Sequence, residues 1–172
     1  RDPGPAMKPL WTPWRMEHVL GRAPRVDGCL FEPPGTAPAD RDHLLLFRDD
    51  VSVVLLNRYP YANGHLLLAP RRHVADPEEL TDRENLALMG MVGRCCAILR
   101  RHLRPHGINV GLNLGAAAGA GIADHLHFHL IPPWQGDHNF LTVCAEIRTI
   151  PEHIDHTFDR LQPDFQALIP AP

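Results

Sequence analysis

The sequence lacks a strong excess of charge of either sign and lacks long apolar runs. Its 172 residues include 17 Lys and Arg against 20 Asp and Glu, a formal net charge of −3. This balance does not provide the overall basic field that is typical of nucleic-acid binders. No apolar segment approaches the roughly 20 residues that cross a bilayer. We therefore expect neither a nucleic acid nor a membrane as the partner.

Cysteine is also scarce, and its spacing does not indicate a disulfide framework. The sequence has no positively charged start followed by an apolar core, the pattern of a secretion signal. We therefore predict a reducing, cytoplasmic setting. The four cysteines are Cys29, Cys95, Cys96 and Cys144.

Histidine, in contrast, is concentrated in one stretch, where His125, His127 and His129 alternate with apolar residues. Alternation of period two predicts a half-buried β-strand over 125–131, with one apolar face and one face of imidazoles. Neighbouring imidazoles on such a strand lie roughly 6.6 Å apart. They disfavour one another's protonation, so we expect mostly neutral rings. A neutral imidazole can act as a nucleophile, a general base or a metal ligand.

The remaining pattern predicts a single α+β domain with a five-stranded antiparallel sheet, one long helix and a C-terminal helix. A capping box at Thr81 and Glu84 begins the long helix, which we expect to end near Arg104. The predicted strands are 44–47, 51–57, 65–70, 107–114 and 125–131, with a further candidate at 141–147. We expect one main domain at 8–150, a helical extension at 151–172 with its helix at 151–168, and an expression-vector remnant at 1–6.

The small-residue loop 115–121 directly precedes the histidine strand. Such a loop brings backbone N–H groups close to a ligand, and phosphate oxygens are the usual ligand. A phosphate site beside neutral imidazoles suggests attack by a histidine on phosphorus, for which the central His127 is best placed. Zinc binding by the same histidines is the rival interpretation.

Several motifs together resemble the histidine triad superfamily of nucleotide hydrolases and transferases. The histidine stretch fits the pattern His-φ-His-φ-His-φ-φ, in which φ is apolar. The resemblance is closest to the branch that contains diadenosine polyphosphate phosphorylases and hydrolases. The other motifs that carry it lie at 10–15, 56–65, 111–115, 119–125 and 134–140.

The resemblance implies a catalytic role for each of four histidines. His127 corresponds to the nucleophile that takes the nucleotidyl group, and the backbone carbonyl of His125 holds the His127 ring in one tautomer. His129 and His65 are expected to contact the phosphate under attack or the leaving group. The family pattern also implies a homodimer with a continuous sheet, and catalysis that needs no metal.

The resemblance further implies a nucleotide-binding set and a structural zinc site. The binding set is Asn57 for the ribose hydroxyls, Leu55 and Leu67 for the base pocket, and Asn113, Gly119 and Gly121 for phosphate oxygens. The zinc ligands implied are Cys29, Glu32, His73 and His125, with Glu32 in place of a cysteine that family members often carry.

We therefore expect an enzyme that cleaves the α-phosphate linkage of a dinucleoside polyphosphate, either diadenosine triphosphate or tetraphosphate. The intermediate is a nucleotidyl group on His127, and the acceptor is either water or inorganic phosphate. Two alternatives stay open at this point. One is hydrolysis of nucleoside phosphoramidates or adenylate conjugates, and the other is a weakly active nucleotide-binding partner protein.

Overall fold

The computed structural model describes residues 28–119, 121–135 and 152–169. Within these ranges the chain forms a five-stranded antiparallel sheet with the order β1-β2-β3-β5-β4 and two α-helices. This architecture confirms the predicted α+β class. The elements are β1 (Leu45–Arg48), β2 (Ser52–Leu56), β3 (Leu66–Pro70), α1 (Asp82–Leu103), β4 (Asn109–Leu112), β5 (Phe128–Ile131) and α2 (Ile154–Gln166).

Four of the five strands are shorter than the sequence pattern predicts, and β1 has the predicted length but lies one residue later. β4 covers four of the eight residues expected at 107–114, and α2 begins at Ile154 rather than at 151. Apolar composition marks where a strand lies, whereas its ends depend on where backbone pairing stops. The candidate strand at 141–147 and the segment 1–6, predicted to be a vector remnant, lie outside the described residues.

The histidine strand is also shorter than predicted, because only Phe128–Ile131 pairs as a strand. Pro70 ends β3 and has no N–H with which to continue the ladder. Its carbonyl instead accepts a hydrogen bond from Nε2 of His125 at 2.9 Å. The N–H of Leu126 bonds to the carbonyl of Val74 at 2.7 Å. Residues 125–127 are thus fixed against 70–74 by irregular bonds.

The two faces of the sheet carry separate apolar clusters. On one face, α1 and α2 cover a large core that includes Leu56, Leu68 and Leu130. On the opposite face Phe31 covers a smaller cluster. Leu67 lies opposite His129 in the register of β3 and β5, and directly opposite residues share a face. The smaller cluster and His129 therefore share a face of the sheet.

The turn between β2 and β3 is constrained by packing and hydrogen bonds. Gly64 has φ +71°, and a Cβ there would lie 2.2 Å from a methyl group of Leu103, so a glycine is needed. Asn63 donates to Glu152 at 3.2 Å and accepts from Thr157 at 2.9 Å, which ties the turn to the start of α2. These contacts fix the backbone next to His65.

The long helix α1 begins as predicted. The hydroxyl of Thr81 accepts from the N–H of Glu84, and the Glu84 carboxylate accepts from the N–H of Thr81 at 2.8 Å. The helix ends at Leu103, and the next residue, Arg104, caps it with a left-handed φ of 48°. Neither α1 nor α2, the α-helices of the described residues, is long and apolar enough to cross a membrane.

The capping carboxylate predicts a pH-dependent contribution to stability. The hydrogen bond from Arg72 and those from Thr81 lower the pKa of Glu84 from 4.5 to about 2. A carboxylate with a lowered pKa contributes fully above its ordinary pKa, and the contribution disappears as pH falls towards 2. Glu84→Gln is therefore expected to lower Tm by roughly 2 °C at pH 7. The difference from wild type should shrink between pH 4.5 and 2.

Thermal unfolding followed by circular dichroism at several pH values measures this effect. Glu78→Gln is the matched control, because it removes the same charge from an exposed site in the preceding turn. A Glu84→Gln difference that stays constant across the acid range contradicts the assignment.

Candidate active site

The ring of His127 is held in one tautomer by its own backbone. Nδ1 of His127 lies 2.8 Å from the carbonyl oxygen of His125, and this contact is buried. A carbonyl only accepts, so Nδ1 carries the proton and donates it. The neutral ring therefore keeps its lone pair on Nε2, as a nucleophile requires.

Burial keeps the ring of His127 neutral. His127 is 6% exposed, and Phe31 packs over it with 4.9 Å between ring centroids. Burial lowers the pKa of His127 below its ordinary 6.5, and the hydrogen bond to the His125 carbonyl only partly offsets this. The neutral ring thus depends mainly on desolvation, not on the repulsion between imidazoles that the sequence suggested.

His125 is anchored on both ring nitrogens. Nε2 donates to the carbonyl of Pro70 at 2.9 Å, which leaves the lone pair on Nδ1. Nδ1 lies 3.1 Å from Sγ of Cys29. Burial raises the pKa of the Cys29 thiol, so without a metal the thiol is protonated and donates to this nitrogen. His125 is completely buried, and its pKa is lowered chiefly by that burial.

A second pair of histidines adjoins His127. The ring centroid of His129 lies 4.9 Å from that of His127, and Nδ1 of His129 lies 3.0 Å from Nε2 of His65. Nδ1 of His65 receives the backbone N–H of Tyr61 and faces Nδ2 of Asn57, each at 3.2 Å. His65 is completely buried. In this arrangement His65 contacts His129, and Asn57 contacts His65.

Of the predicted phosphate-binding residues, Asn113 lies next to His129. Nδ2 of Asn113 is 3.5 Å from Nε2 of His129, at the limit of a hydrogen bond. Gly119 follows a short 3₁₀ turn at Ala116–Ala118 with φ +86°, and Gly121 is exposed. The N–H of Gly119 already donates to Ala116 at 3.0 Å. The Gly119 amide thus has an acceptor within its own turn in this conformation, and its contact with phosphate stays a prediction.

The two predicted base-pocket residues belong to the smaller cluster under Phe31. Leu55 and Leu67 lie opposite each other on β2 and β3 and are 1% and 5% exposed. They share the face that carries the His129 ring. Their side chains form an apolar surface beside the imidazoles, with Phe31 packed over it.

Three of the four predicted zinc ligands converge. One ligand atom from each of Cys29, His73 and His125 lies within 4.8 Å of the others. Glu32 does not join this group of three atoms; its carboxylate instead lies 3.1 Å from Nδ1 of His73. This geometry therefore does not favour Glu32 as a direct ligand in place of the missing cysteine.

Two contributors to the site carry no signal in the sequence pattern. Phe31 covers both His125 and His127, yet it lies in a loop with no periodicity. Tyr61 acts through its backbone N–H and through its ring, which stacks on His65 at 5.3 Å.

The chain is similar in sequence to known proteins. The family model of the HIT domain matches residues 39–136. An AP-4-A phosphorylase of Mycobacterium tuberculosis is 38% identical over 154 residues, which cover 86% of this chain and 79% of that protein. A bis(5'-adenosyl)-triphosphatase of Dictyostelium discoideum is 30% identical over 92 residues, which cover 54% of this chain and 61% of that protein.

The fold is also found among solved structures. A zinc-bound histidine triad family protein from Mycobacterium smegmatis superposes with a TM-score of 0.59 at 24% identity, over 77% of this chain and 87% of that one. At this identity the similarity concerns the fold alone. The matching domain model and the extent of the M. tuberculosis similarity show that this chain belongs to the HIT, or histidine triad, domain family.

Proposed function

We propose that the protein cleaves the α-phosphate linkage of a dinucleoside polyphosphate, diadenosine triphosphate or tetraphosphate, through a nucleotidyl group carried on His127. One observation carries the proposal. The His125 carbonyl holds the proton of His127 on Nδ1 and burial keeps the ring neutral, so Nε2 has a free lone pair. The names of the M. tuberculosis and D. discoideum relatives support the substrate class.

The reaction consists of two displacements at phosphorus. In the first, Nε2 of His127 forms an N–P bond while the P–O bond to the rest of the polyphosphate breaks, and the leaving phosphate takes the electron pair. In the second, water or inorganic phosphate forms a new O–P bond, the N–P bond breaks and His127 returns to its neutral state. His129, Asn113 and the backbone at Gly121 surround the phosphate oxygens and stabilise their charge.

Trapping the intermediate tests the role of His127. The protein is mixed with diadenosine tetraphosphate carrying radiolabelled adenine and quenched in base, which preserves a phosphorus–nitrogen bond. Wild type is expected to give an acid-labile, base-stable adduct. His127→Ala should lose the adduct and reduce turnover by on the order of 10⁴-fold or more, because the attacking nitrogen is gone.

The control is His156→Ala, which removes an exposed histidine of α2 and should keep the adduct. An adduct of normal yield in His127→Ala contradicts the proposal.

The same mixtures identify the acceptor. Because the 38% identical relative is named a phosphorylase, we expect ADP to form only when inorganic phosphate is supplied. Equal turnover to AMP without phosphate points to a hydrolase instead.

We also propose a homodimer formed through β4, the strand at one edge of the sheet. Helix α1 packs mainly on β2, β3 and β5. It leaves Val110 and Leu114, in and just after β4, 43% and 44% exposed. Leu86 and Met89 on α1 are exposed as well. Pairing of β4 with its copy would continue the sheet and cover the apolar side chains at this edge, Val110 and Leu114.

Sedimentation equilibrium tests the dimer. The wild-type chain is expected to sediment at twice its mass of 19.3 kDa. Val110→Asp should shift it towards the monomer, because a carboxylate would be buried in the interface. A wild-type protein that stays monomeric at micromolar concentration contradicts the proposal.

We further propose that Cys29, His73 and His125 hold a structural zinc ion. Ligand atoms of tetrahedral zinc lie roughly 3 to 4 Å apart, and these three lie within 4.8 Å of one another. Glu32 contacts Nδ1 of His73, which leaves Nε2 for the ion. A carboxylate on the outer nitrogen of a ligating histidine orients the ring and strengthens the ligand. Bound zinc would hold the Cys29 segment against His125.

Metal analysis after purification and exposure to zinc tests this site. One zinc per chain is expected in wild type, and Cys29→Ala should lose it. The control Cys96→Ala removes a half-buried cysteine of α1 that lies outside the cluster, and it should retain zinc. Glu32→Gln should weaken zinc binding by about 10- to 100-fold. A wild-type protein that fails to take up zinc contradicts the proposal.

A further inference from the structure

The side-chain amide of Asn57 has a fixed orientation. Its Oδ1 accepts a hydrogen bond from the backbone N–H of Tyr59 at 2.9 Å. A backbone N–H only donates, so the amide atom that faces it must be the oxygen. The NH₂ group of Asn57 therefore points towards Nδ1 of His65, which lies 3.2 Å away.

Two donors converge on Nδ1 of His65. One is the NH₂ group of Asn57, and the other is the backbone N–H of Tyr61 at 3.2 Å. A ring nitrogen that accepts carries no proton, so neutral His65 holds its proton on Nε2. The ring is completely buried and stacks on the Tyr61 ring, which keeps it in this orientation.

The proton on Nε2 of His65 determines the state of His129. Nε2 of His65 lies 3.0 Å from Nδ1 of His129. Because His65 donates, Nδ1 of His129 accepts, and the proton of His129 is on Nε2. This nitrogen faces the amide of Asn113 at 3.5 Å. A half-turn of that amide would present its oxygen to the proton.

We propose that Asn57 and the Tyr61 backbone act through His65 to keep the proton of His129 on Nε2. The chemical meaning of this inference rests on the proposed function. His65 is then a positioning residue and not the phosphate contact that the family resemblance implied. Asn57 gains a positioning role in addition to the ribose contact predicted for it.

The consequence is that two neighbouring members of the triad have opposite tautomers. The rings of His127 and His129 lie 4.9 Å apart between centroids. Nε2 of His127 offers a lone pair to phosphorus, whereas Nε2 of His129 offers an N–H to an oxygen on that phosphorus. The surroundings of each ring thus make a nucleophile of one histidine and a hydrogen-bond donor of the other.

Nitrogen NMR of the ligand-free full chain tests the proposal. With ¹⁵N-labelled histidine, long-range ¹H–¹⁵N correlation shows which ring nitrogen of each neutral histidine carries the proton, and single His→Gln variants assign the signals. We expect Nε2–H for His65 and His129 and Nδ1–H for His127. A proton on Nδ1 of wild-type His65 or His129 overturns the proposal.

A matched pair of variants tests the role of Asn57. Asn57→Asp places a carboxylate oxygen against Nδ1 of His65 and should put a proton on that nitrogen. Asn113→Asp makes the same change in charge and shape, but at a residue that faces His129 and not His65. It should leave Nδ1 of His65 without a proton and keep Nε2–H on His129.

An Asn57→Asp spectrum with His65 unchanged overturns the proposal, and so does an equal change at His65 in Asn113→Asp. If Asn57→Asp does not fold, the wild-type spectrum decides by itself. Because no substrate is present, these spectra do not depend on the proposed reaction. If no adduct is trapped on His127 but the NMR spectra show the expected tautomers, the proposed function is rejected and the inference about Asn57 and His65 stands.

Discussion

The site depends on the hydrogen bond between the His125 carbonyl and Nδ1 of His127. This bond exists because the backbone at 125–127 leaves the regular ladder. Pro70 cannot continue the pairing, and its carbonyl instead binds the His125 ring, while Leu126 bonds to Val74. The irregular backbone turns a carbonyl towards the ring two residues later, which leaves the lone pair of His127 on Nε2.

The division of the sheet into two faces supplies the rest of the environment. One face lies under α1 and α2 and forms the large core, so the sheet does not need its other face for a core of comparable size. The second face can therefore combine a small apolar cluster with imidazoles under Phe31. The desolvation that results lowers the pKa of both His125 and His127. The packing of this face therefore keeps the two rings neutral.

The sequence predicts the elements of this fold better than their local bonds. Hydrophobic periodicity locates the strands and the capping box locates the start of α1, because both are local properties. Glu32 and His73, which are in contact, lie 41 residues apart in the sequence. Phe31 and His127, whose rings pack together, lie 96 residues apart. Such contacts depend on the complete fold. For the same reason alternation predicted a full strand at 125–131, although Pro70 ends its partner.

A crystal structure of the trapped nucleotidyl intermediate shows directly which nitrogen is bonded to phosphorus. We expect the bond on Nε2 of His127, with Nδ1 still donating to the His125 carbonyl. Phosphorus on Nδ1 of His127, or on the ring of another histidine, would contradict it.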